Sequence, residues 1–293
     1  MNWWKGLKQK LLFNEPLKNH TNFRIGGEAR FFARPRSAAD LKSLLSRIKK
    51  YKIPFFVMGA GSNILARDKG IEGLVLKMDT PYFKKISPRG RRLIAGCSVP
   101  LARLLREARR HGLSGLEFSV GIPGTVGGAL AMNAGAWGKD MSAIVEKVKV
   151  MDYNGRVKFI DKEDLGFSYR KSGLGKYIIL GAVFKLYPAA KKEIAGGIRD
   201  CLKKRRASQG DALPNAGCIF KNPAGDSAGR LIDFCGLKGK IIGGACISGR
   251  HANFILNRRK ASSADVLKLM ALMRSKVKER FGISLQPEIK IWQ

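Results

Sequence analysis

Phe55-Phe56-Val57-Met58, followed directly by Gly59-Ala60-Gly61-Ser62-Asn63, is the stretch on which the fold turns. Four apolar, β-prone residues in a row read as a short strand. The small residues after it let backbone amides come close to a phosphate. The pattern is not the dinucleotide fingerprint of a doubly wound sheet. A third glycine is missing, and no acidic residue ends a second strand of a βαβ unit. Alone, such a loop serves an ordinary tight turn more often than a ligand.

The flanking sequence alternates helix and strand signals. Ser37-Ala38-Ala39-Asp40 reads as a capping box ahead of a helical face made by Leu41, Leu44, Leu45 and Ile48. Leu74-Val75-Leu76 and Leu93-Ile94-Ala95 read as strands, and a helix follows with Pro100 near its start and Gly112 beyond its end. Two β-rich runs between 145 and 160 flank Asn154-Gly155, a hairpin signal, and Tyr177 to Leu186 reads as another strand. A basic helical stretch reaches Arg206. A last helix carries Val266, Leu269, Met270, Met273 and Val277 on one face and stops at Gly282. Trp4, Leu7 and Leu11, with Lys5, Lys8 and Lys10 between them, predict a short N-terminal amphipathic helix packed on the body of the protein. These signals predict an α+β chain with a linker near Tyr187-Pro188 and no internal repeat.

Composition limits the function classes. With 293 residues and 45% apolar content, the chain can bury two or three packed units. Five cysteines (Cys97, Cys201, Cys218, Cys235, Cys246) without a C-x-x-C pair, and three histidines, argue against a zinc site or a disulfide framework. No signal peptide or membrane span is legible, which predicts a cytoplasmic protein. The net charge of +34 points towards polyanions. Yet residues 1–188 hold 35 Lys and Arg against 14 Asp and Glu, and residues 189–293 hold 21 against 8, so neither part is a dedicated basic arm. The expectation is therefore no specific nucleic-acid partner and at most weak association with anionic surfaces.

A second glycine loop changes the reading of the first. Gly121-Ile122-Pro123-Gly124-Thr125-Val126-Gly127-Gly128 leads into Ala129-Leu130-Ala131-Met132-Asn133-Ala134-Gly135-Ala136. Two such loops suit a long cofactor with a pyrophosphate centre, and the segment after Gly128 reads as a helix offering its N-terminus to phosphate.

These two loops, with Thr21-Asn22-Phe23-Arg24-Ile25-Gly26-Gly27, resemble the flavin-binding signatures of the UDP-N-acetylenolpyruvoylglucosamine reductases. Further segments match that family in the same order: Gly166-Phe167-Ser168-Tyr169-Arg170, Ala216-Gly217-Cys218-Ile219-Phe220-Lys221-Asn222-Pro223, Ala228-Gly229-Arg230-Leu231-Ile232-Asp233, His251-Ala252-Asn253-Phe254 and Gln286-Pro287-Glu288. The resemblance implies a two-part FAD-binding module of the vanillyl-alcohol-oxidase type in residues 1–188, split near 80. A smaller α+β substrate-binding domain is implied in 189–293, its C-terminal strand returning to the active site. It implies FAD as bound cofactor, NADPH as reductant and UDP-N-acetylglucosamine enolpyruvate as substrate. Gly59, Ala60, Gly61, Ser62, Asn63, Gly121, Ile122, Pro123, Gly124, Thr125, Gly127, Gly128, Asn133 and Gly135 fall to the cofactor. Tyr169, Arg206, Lys221, Asn222 and Arg230 fall to the substrate.

The resemblance also implies three catalytic residues. Arg170 pairs with the substrate carboxylate, where charge accumulates as an enolate develops. Cys218 stands where the family usually has serine as proton donor; a thiol with an ordinary pKa of about 8.5 is mostly protonated at neutral pH and is a better acid than an alcohol. Glu288 stabilises the enolate if it is protonated or hydrogen-bonded; it also fits the polar face of an alternating strand over Leu285–Ile291 as a salt-bridge residue. The short path from Arg170 to Tyr177 resembles the subtype that lacks a substrate-covering loop. His20, His111 and His251 read as structural. Another flavoprotein of the same fold would keep the glycine loops without the Arg170, Cys218 and Glu288 set. A polyanion-binding protein on a flavin fold would lack bound colour.

Overall fold

A computed structural model of the chain describes residues 3–7, 10–208 and 213–293. They fall into two compact units interleaved in sequence, one from Met1–Phe13, Phe31–Ala60 and Gly73–Lys204, the other from Asn14–Arg30, Gly61–Glu72 and Arg205–Gln293. The expected single division at 188 is thus replaced by several crossings. Tyr187–Pro188 is no linker, because it pairs as a short antiparallel strand with Leu113–Ser114.

In the first unit, Phe55–Met58 runs parallel to Ile71–Lys77, with Phe55 opposite Leu74 and Met58 opposite Lys77. Helix α1 (Ala38–Tyr51) buries Leu41, Leu44, Leu45 and Ile48 in a cluster with Phe31, Leu74 and Leu76. Only half of its predicted box forms. Ser37 Oγ accepts from the Asp40 N–H, but the Asp40 carboxylate turns to the Arg36 N–H at 3.1 Å. The N-terminal helix does not form. Residues 3–6 make a turn and Leu11 opens the strand Leu11–Pro16; Lys8 lies outside the described residues. Trp3 is buried instead, edge-on to Phe31 at 5.2 Å, and Arg47 Nη1 donates to the Trp3 and Lys5 carbonyls. A segment this short has too little helical propensity to oppose that packing.

The larger sheet of this unit is antiparallel throughout, in the order Val157–Asp161, Val145–Met151, Ile178–Lys185, Arg92–Gly96, Ile86–Arg89. The hairpin at Asn154-Gly155 forms as expected, with Asp152 Oδ1 accepting from the Asn154 and Arg156 N–H groups. Helix α2 (Leu101–Arg110), α3 (Val126–Ala131) and this sheet share one core around Leu104, Phe118, Leu130, Val148 and Phe184. Helix α4 (Lys191–Ser208) follows, mostly within the same unit.

The second unit holds the antiparallel order Asn215–Cys218, Phe254–Asn257, Ala245–Ile247, Ile241–Ile242, with α5 (Ala228–Phe234) and α6 (Ser263–Phe281). Val266, Leu269, Met270, Met273 and Val277 form the buried face of α6 as the spacing predicted, and Gly282 caps it at φ +70°. The expected strand over Leu285–Ile291 is regular only at Lys290–Trp292, parallel to Ile64–Ala66. Before it, Pro287 makes a single antiparallel bridge with Phe220, closed by the Lys221 N–H on the Gln286 carbonyl and the Glu288 N–H on the Ile219 carbonyl.

Two carboxylates anchor the start of α6. Asp68 accepts from the Ser263 N–H and Oγ and from the Ala264 N–H. Asp265 accepts from the Ser262 N–H, closing a capping box, and from the Gly244 N–H. The Ser262 N–H holds the Asp265 carboxyl below the usual carboxylate range. A depressed pKa means that this contribution is present above the ordinary Asp value of about 3.9 and is lost as pH falls through the folded value. Asp265→Asn is therefore expected to destabilise the protein by about 0.5–1 kcal/mol at pH 7. In urea unfolding the gap to wild type should shrink as pH falls into the acid range; a gap constant with pH would refute the assignment.

Candidate active site

The two glycine loops meet within the first unit. A Cβ on Gly59 would lie 2.7 Å from Thr125 Oγ1 and 3.9 Å from the Gly128 nitrogen, so only a glycine lets the loop backbone lie this close. The helix after the second loop begins at Val126, earlier than the sequence suggested, with Thr125 as N-cap. Its first-turn amides are consumed internally: Val126 N–H by the Val99 carbonyl, Gly127 N–H by the Cys97 carbonyl, Gly128 N–H by Thr125 Oγ1. The three amides expected to face a phosphate thus each have a partner within the unit. What remains is the loop backbone. In the Pro100–Thr125 bridge the bonds run from Val126 to Val99 and from Leu101 to Gly124, a pattern that turns the Thr125 N–H away from the pairing.

Arg170 sits on a tight turn closed by reciprocal bonds between Ser168 and Lys171, each 3.1 Å. Its φ is +54°, a left-handed conformation that a residue with a Cβ rarely adopts. The guanidinium donates through Nη2 to the Gly135 carbonyl at 2.9 Å and lies 5.0 Å from the ring centroid of Tyr169, which is half exposed. Asn133, expected as a cofactor contact, is 1% exposed, and both amide ends bond to protein groups: Asp140 Oδ2, the Ser168 carbonyl and the Ser142 N–H. A single 3-10 turn, Gly173–Lys176, separates this turn from the strand Ile178–Lys185, which leaves no room for an inserted loop.

In the second unit, the backbones of Cys218 and Glu288 are brought together. The Glu288 N–H donates to the carbonyl of Ile219, next to Cys218, at 2.8 Å, and the Lys221 N–H donates to the Gln286 carbonyl at 2.9 Å. Asn63 joins them: its Nδ2 donates to the Glu288 carbonyl, and its own carbonyl accepts from Lys290. Cys218 and Glu288 are both half-buried. Gly217, at φ +76°, has open space where a Cβ would stand. Asn253 had matched a motif without receiving a role. It is buried, and its side chain makes a two-bond clamp on Phe220, accepting from the N–H at 2.9 Å and donating to the carbonyl at 2.7 Å. A polar residue between Ala252 and Phe254, both buried, was the signal available for it.

The expected substrate residues are less uniform. Lys221 and Asn222 flank the start of α5, where Asn222 Oδ1 accepts from the Ala228 N–H. Arg230 is held by Asp226 through Nε and Nη2 and stacks over Phe234. Arg206 is exposed on α4. The three histidines are engaged locally, His20 with Glu15 at 2.7 Å, His111 3.9 Å from Glu107, and His251 Nδ1 accepting from the Asn253 N–H. Among the described residues no group of three His, Cys, Asp or Glu side chains is arranged to hold a metal ion.

Two family models match the chain: "FAD binding domain" over residues 29–161, and "UDP-N-acetylenolpyruvoylglucosamine reductase, C-terminal domain" over residues 208–292. The UDP-N-acetylenolpyruvoylglucosamine reductase 2 of Symbiobacterium thermophilum is 44% identical over 95% of this chain and 91% of its own length. That of Caldanaerobacter subterraneus is 42% identical over 96% and 93%. The chain belongs to the UDP-N-acetylenolpyruvoylglucosamine reductase family. The crystal structure of the reductase from Thermus caldophilus superposes with a TM-score of 0.84 at 36% identity, covering 98% of this chain and 99% of that one. A 6-hydroxy-D-nicotine oxidase from Arthrobacter nicotinovorans shares the fold alone, with a TM-score of 0.51 at 19% identity over 62% of this chain and 43% of that one. The fold class is as expected, an FAD-binding module of the vanillyl-alcohol-oxidase type with a second α+β part.

As a member of this reductase family the chain is an FAD-dependent oxidoreductase. The loops fit the group in one respect: Gly59 and Gly128, having no side chains, let the two loop backbones converge around Thr125, with the Thr125 N–H turned away from the pairing. Two outcomes follow. Gly59→Ala puts a methyl against Thr125 Oγ1 and is expected to cost about 1–3 kcal/mol of loop packing, read as lower flavin content per purified chain. The flavin itself is expected to be held without a covalent bond, since neither loop contains histidine or cysteine. Acid or heat should release the yellow colour into solution; colour that stays with the denatured chain would refute this.

Proposed function

We propose that the protein reduces UDP-N-acetylglucosamine enolpyruvate to UDP-N-acetylmuramate, using NADPH, in the synthesis of cell-wall peptidoglycan precursors in the cytoplasm. Family membership supports the reaction class, and the observation that carries this reading is the pairing of the Cys218 and Glu288 segments through Ile219 and Gln286. When bound, FAD takes hydride from NADPH and supplies it to the enolpyruvyl methylene carbon. The chain's own residues deal with the charge that this leaves.

Arg170 receives the substrate carboxylate, whose negative charge grows as the neighbouring carbon becomes an enolate; a planar guanidinium matches two oxygens. Cys218 gives its thiol proton to that carbon, forming the C–H bond and leaving a thiolate that is reprotonated from solvent. Glu288 stands beside the enolate, and only its protonated or hydrogen-bonded form stabilises that charge. The Gly59–Asn63 loop and the part of the second loop before the helix, Gly121 to Thr125, hold the cofactor through backbone groups, with Gly127 and Gly128 letting the chain pack closely behind them. Lys221, Asn222 and Arg206 serve the nucleotide diphosphate, with Tyr169 beside Arg170. Arg230 reaches the substrate only by exchanging its Asp226 partner.

Arg170→Met or Glu288→Gln is expected to leave NADPH-driven flavin bleaching near wild type and to slow reoxidation by substrate about 100- to 1000-fold. Equal loss in both half-reactions, measured by stopped-flow absorbance, would contradict the assignment.

Cys218 has its own signature. Cys218→Ser should keep substantial turnover, and Cys218→Ala should lose it while flavin reduction persists. Burial pushes the Cys97 thiol up to about 12 and also raises those of Cys201 and Cys235, which makes them poor thiolates at neutral pH. Alkylation should therefore inactivate the wild type, with protection by substrate, and spare Cys218→Ser. Wild-type turnover by Cys218→Ala would show that the proton comes from elsewhere.

A further inference from the structure

Helix α3 ends in a Schellman motif. The Asn133 N–H bonds the Leu130 carbonyl and the Ala134 N–H bonds the Ala129 carbonyl, the two bonds that define this helix stop. Asn133 occupies its left-handed position at φ +42°. Glycine is the residue of least strain there, and this chain uses it where α6 stops, at Gly282. Asparagine also tolerates such a site, as does Lys52 where α1 stops, so the helix stop alone does not call for this amide.

What sets Asn133 apart is the set of partners its buried side chain holds. Asn133 Nδ2 donates to Asp140 Oδ2 at 3.0 Å and to the Ser168 carbonyl at 3.1 Å, while Oδ1 accepts from the Ser142 N–H at 3.0 Å. The Ser168 carbonyl also accepts the Lys171 N–H that closes the turn carrying Arg170. Arg170 in turn donates to the carbonyl of Gly135, two residues beyond Asn133. The strained Arg170 turn is thus tied by its backbone to the Asn133 amide and by its guanidinium to the segment that Asn133 starts.

We propose that Asn133 is a positioning residue for Arg170: its buried amide fixes the strained turn that aims the guanidinium at the substrate carboxylate. The inference rests on the role given to Arg170 above. It separates Asn133 from the cofactor contacts and gives it to the substrate half of the reaction. Asp140 is the anchor behind it, its Oδ1 held by Ser142 Oγ at 2.6 Å.

Asn133→Gly is the direct test, because glycine keeps the helix stop and removes only the amide. Asn133→Asp retains volume and a left-handed preference, loses the donors and faces Asp140; it serves if the glycine variant proves unstable. The flavin-loaded enzyme is titrated calorimetrically with UDP-N-acetylmuramate, which carries the carboxylate, and with UDP-N-acetylglucosamine, which does not. Each Asn133 variant should lose about 10- to 100-fold of the preference for the carboxylate ligand, with affinity for UDP-N-acetylglucosamine retained. The double variant Asn133→Gly/Arg170→Met should be no worse than Arg170→Met alone, since both act through one group.

Wild-type preference in both Asn133 variants overturns the proposal, as do additive losses in the double variant or equal weakening of both ligands. Arg170→Met that keeps the preference would instead sink the role given to Arg170, and this inference with it. Loss in Arg170→Met with retention in both Asn133 variants defeats the positioning role alone.

Discussion

A buried amide without water must find all its partners inside the protein, or cost about 1–3 kcal/mol for each group left unpaired. Three asparagines meet that requirement with bonds to the backbone of other chain segments. Asn133 links the end of α3 to the turn at Ser168, and Asn253 clamps Phe220 from both sides. Asn257 donates to the Phe23 carbonyl and accepts from the Ala261 N–H. Each lies within one compact unit, and two of the three stand directly behind a segment assigned to catalysis. The sites are therefore held by short, saturated polar networks set into apolar cores, which supports precise placement better than mobile surface contacts do.

The glycines impose the complementary constraint. At Gly61 a Cβ would lie 2.0 Å from the His20 carbonyl oxygen, and at Gly27 one would lie 2.0 Å from that of Asp68. These close approaches seat the Thr21–Gly27 segment against the Gly61–Asn63 loop and the Asp68 clamp. The Asn22 N–H bonding the Gly61 carbonyl completes the arrangement. Among the motif residues that look like ligand contacts in the sequence, Gly27 and Gly61 thus let one stretch of backbone lie on another.

Charge contributes less to the fold than its magnitude suggests. With 56 Lys and Arg against 22 Asp and Glu, most cations have no acid to pair with, and the pairs that form are largely exposed. Such pairs are worth about 0.2–1 kcal/mol and are screened by salt. The apolar clusters carry the stability against the repulsion that remains. Lysines over the exposed ring of Phe159, from Lys147 and Lys149, show how part of that excess is spent covering apolar surface.

The sequence by itself determined the elements whose signal is local. The periodicity of α1 and α6, the Asn154-Gly155 hairpin, the strand before Gly59 and the family motifs are each read within a few residues, because burial period and turn chemistry act at that range. It also named Arg170, Cys218 and Glu288, though only by resemblance. Tertiary structure decided whatever depends on partners distant in the chain. Trp3 packing on Phe31 displaced an N-terminal helix, and the last strand is regular only where Lys290–Trp292 finds Ile64–Ala66. Cys97 and Val99 carbonyls took the α3 amides that were expected to face a phosphate. Asn133 changed meaning for the same reason: a sequence gives the amide, and only the fold supplies Asp140, Ser142 and Ser168 to saturate it.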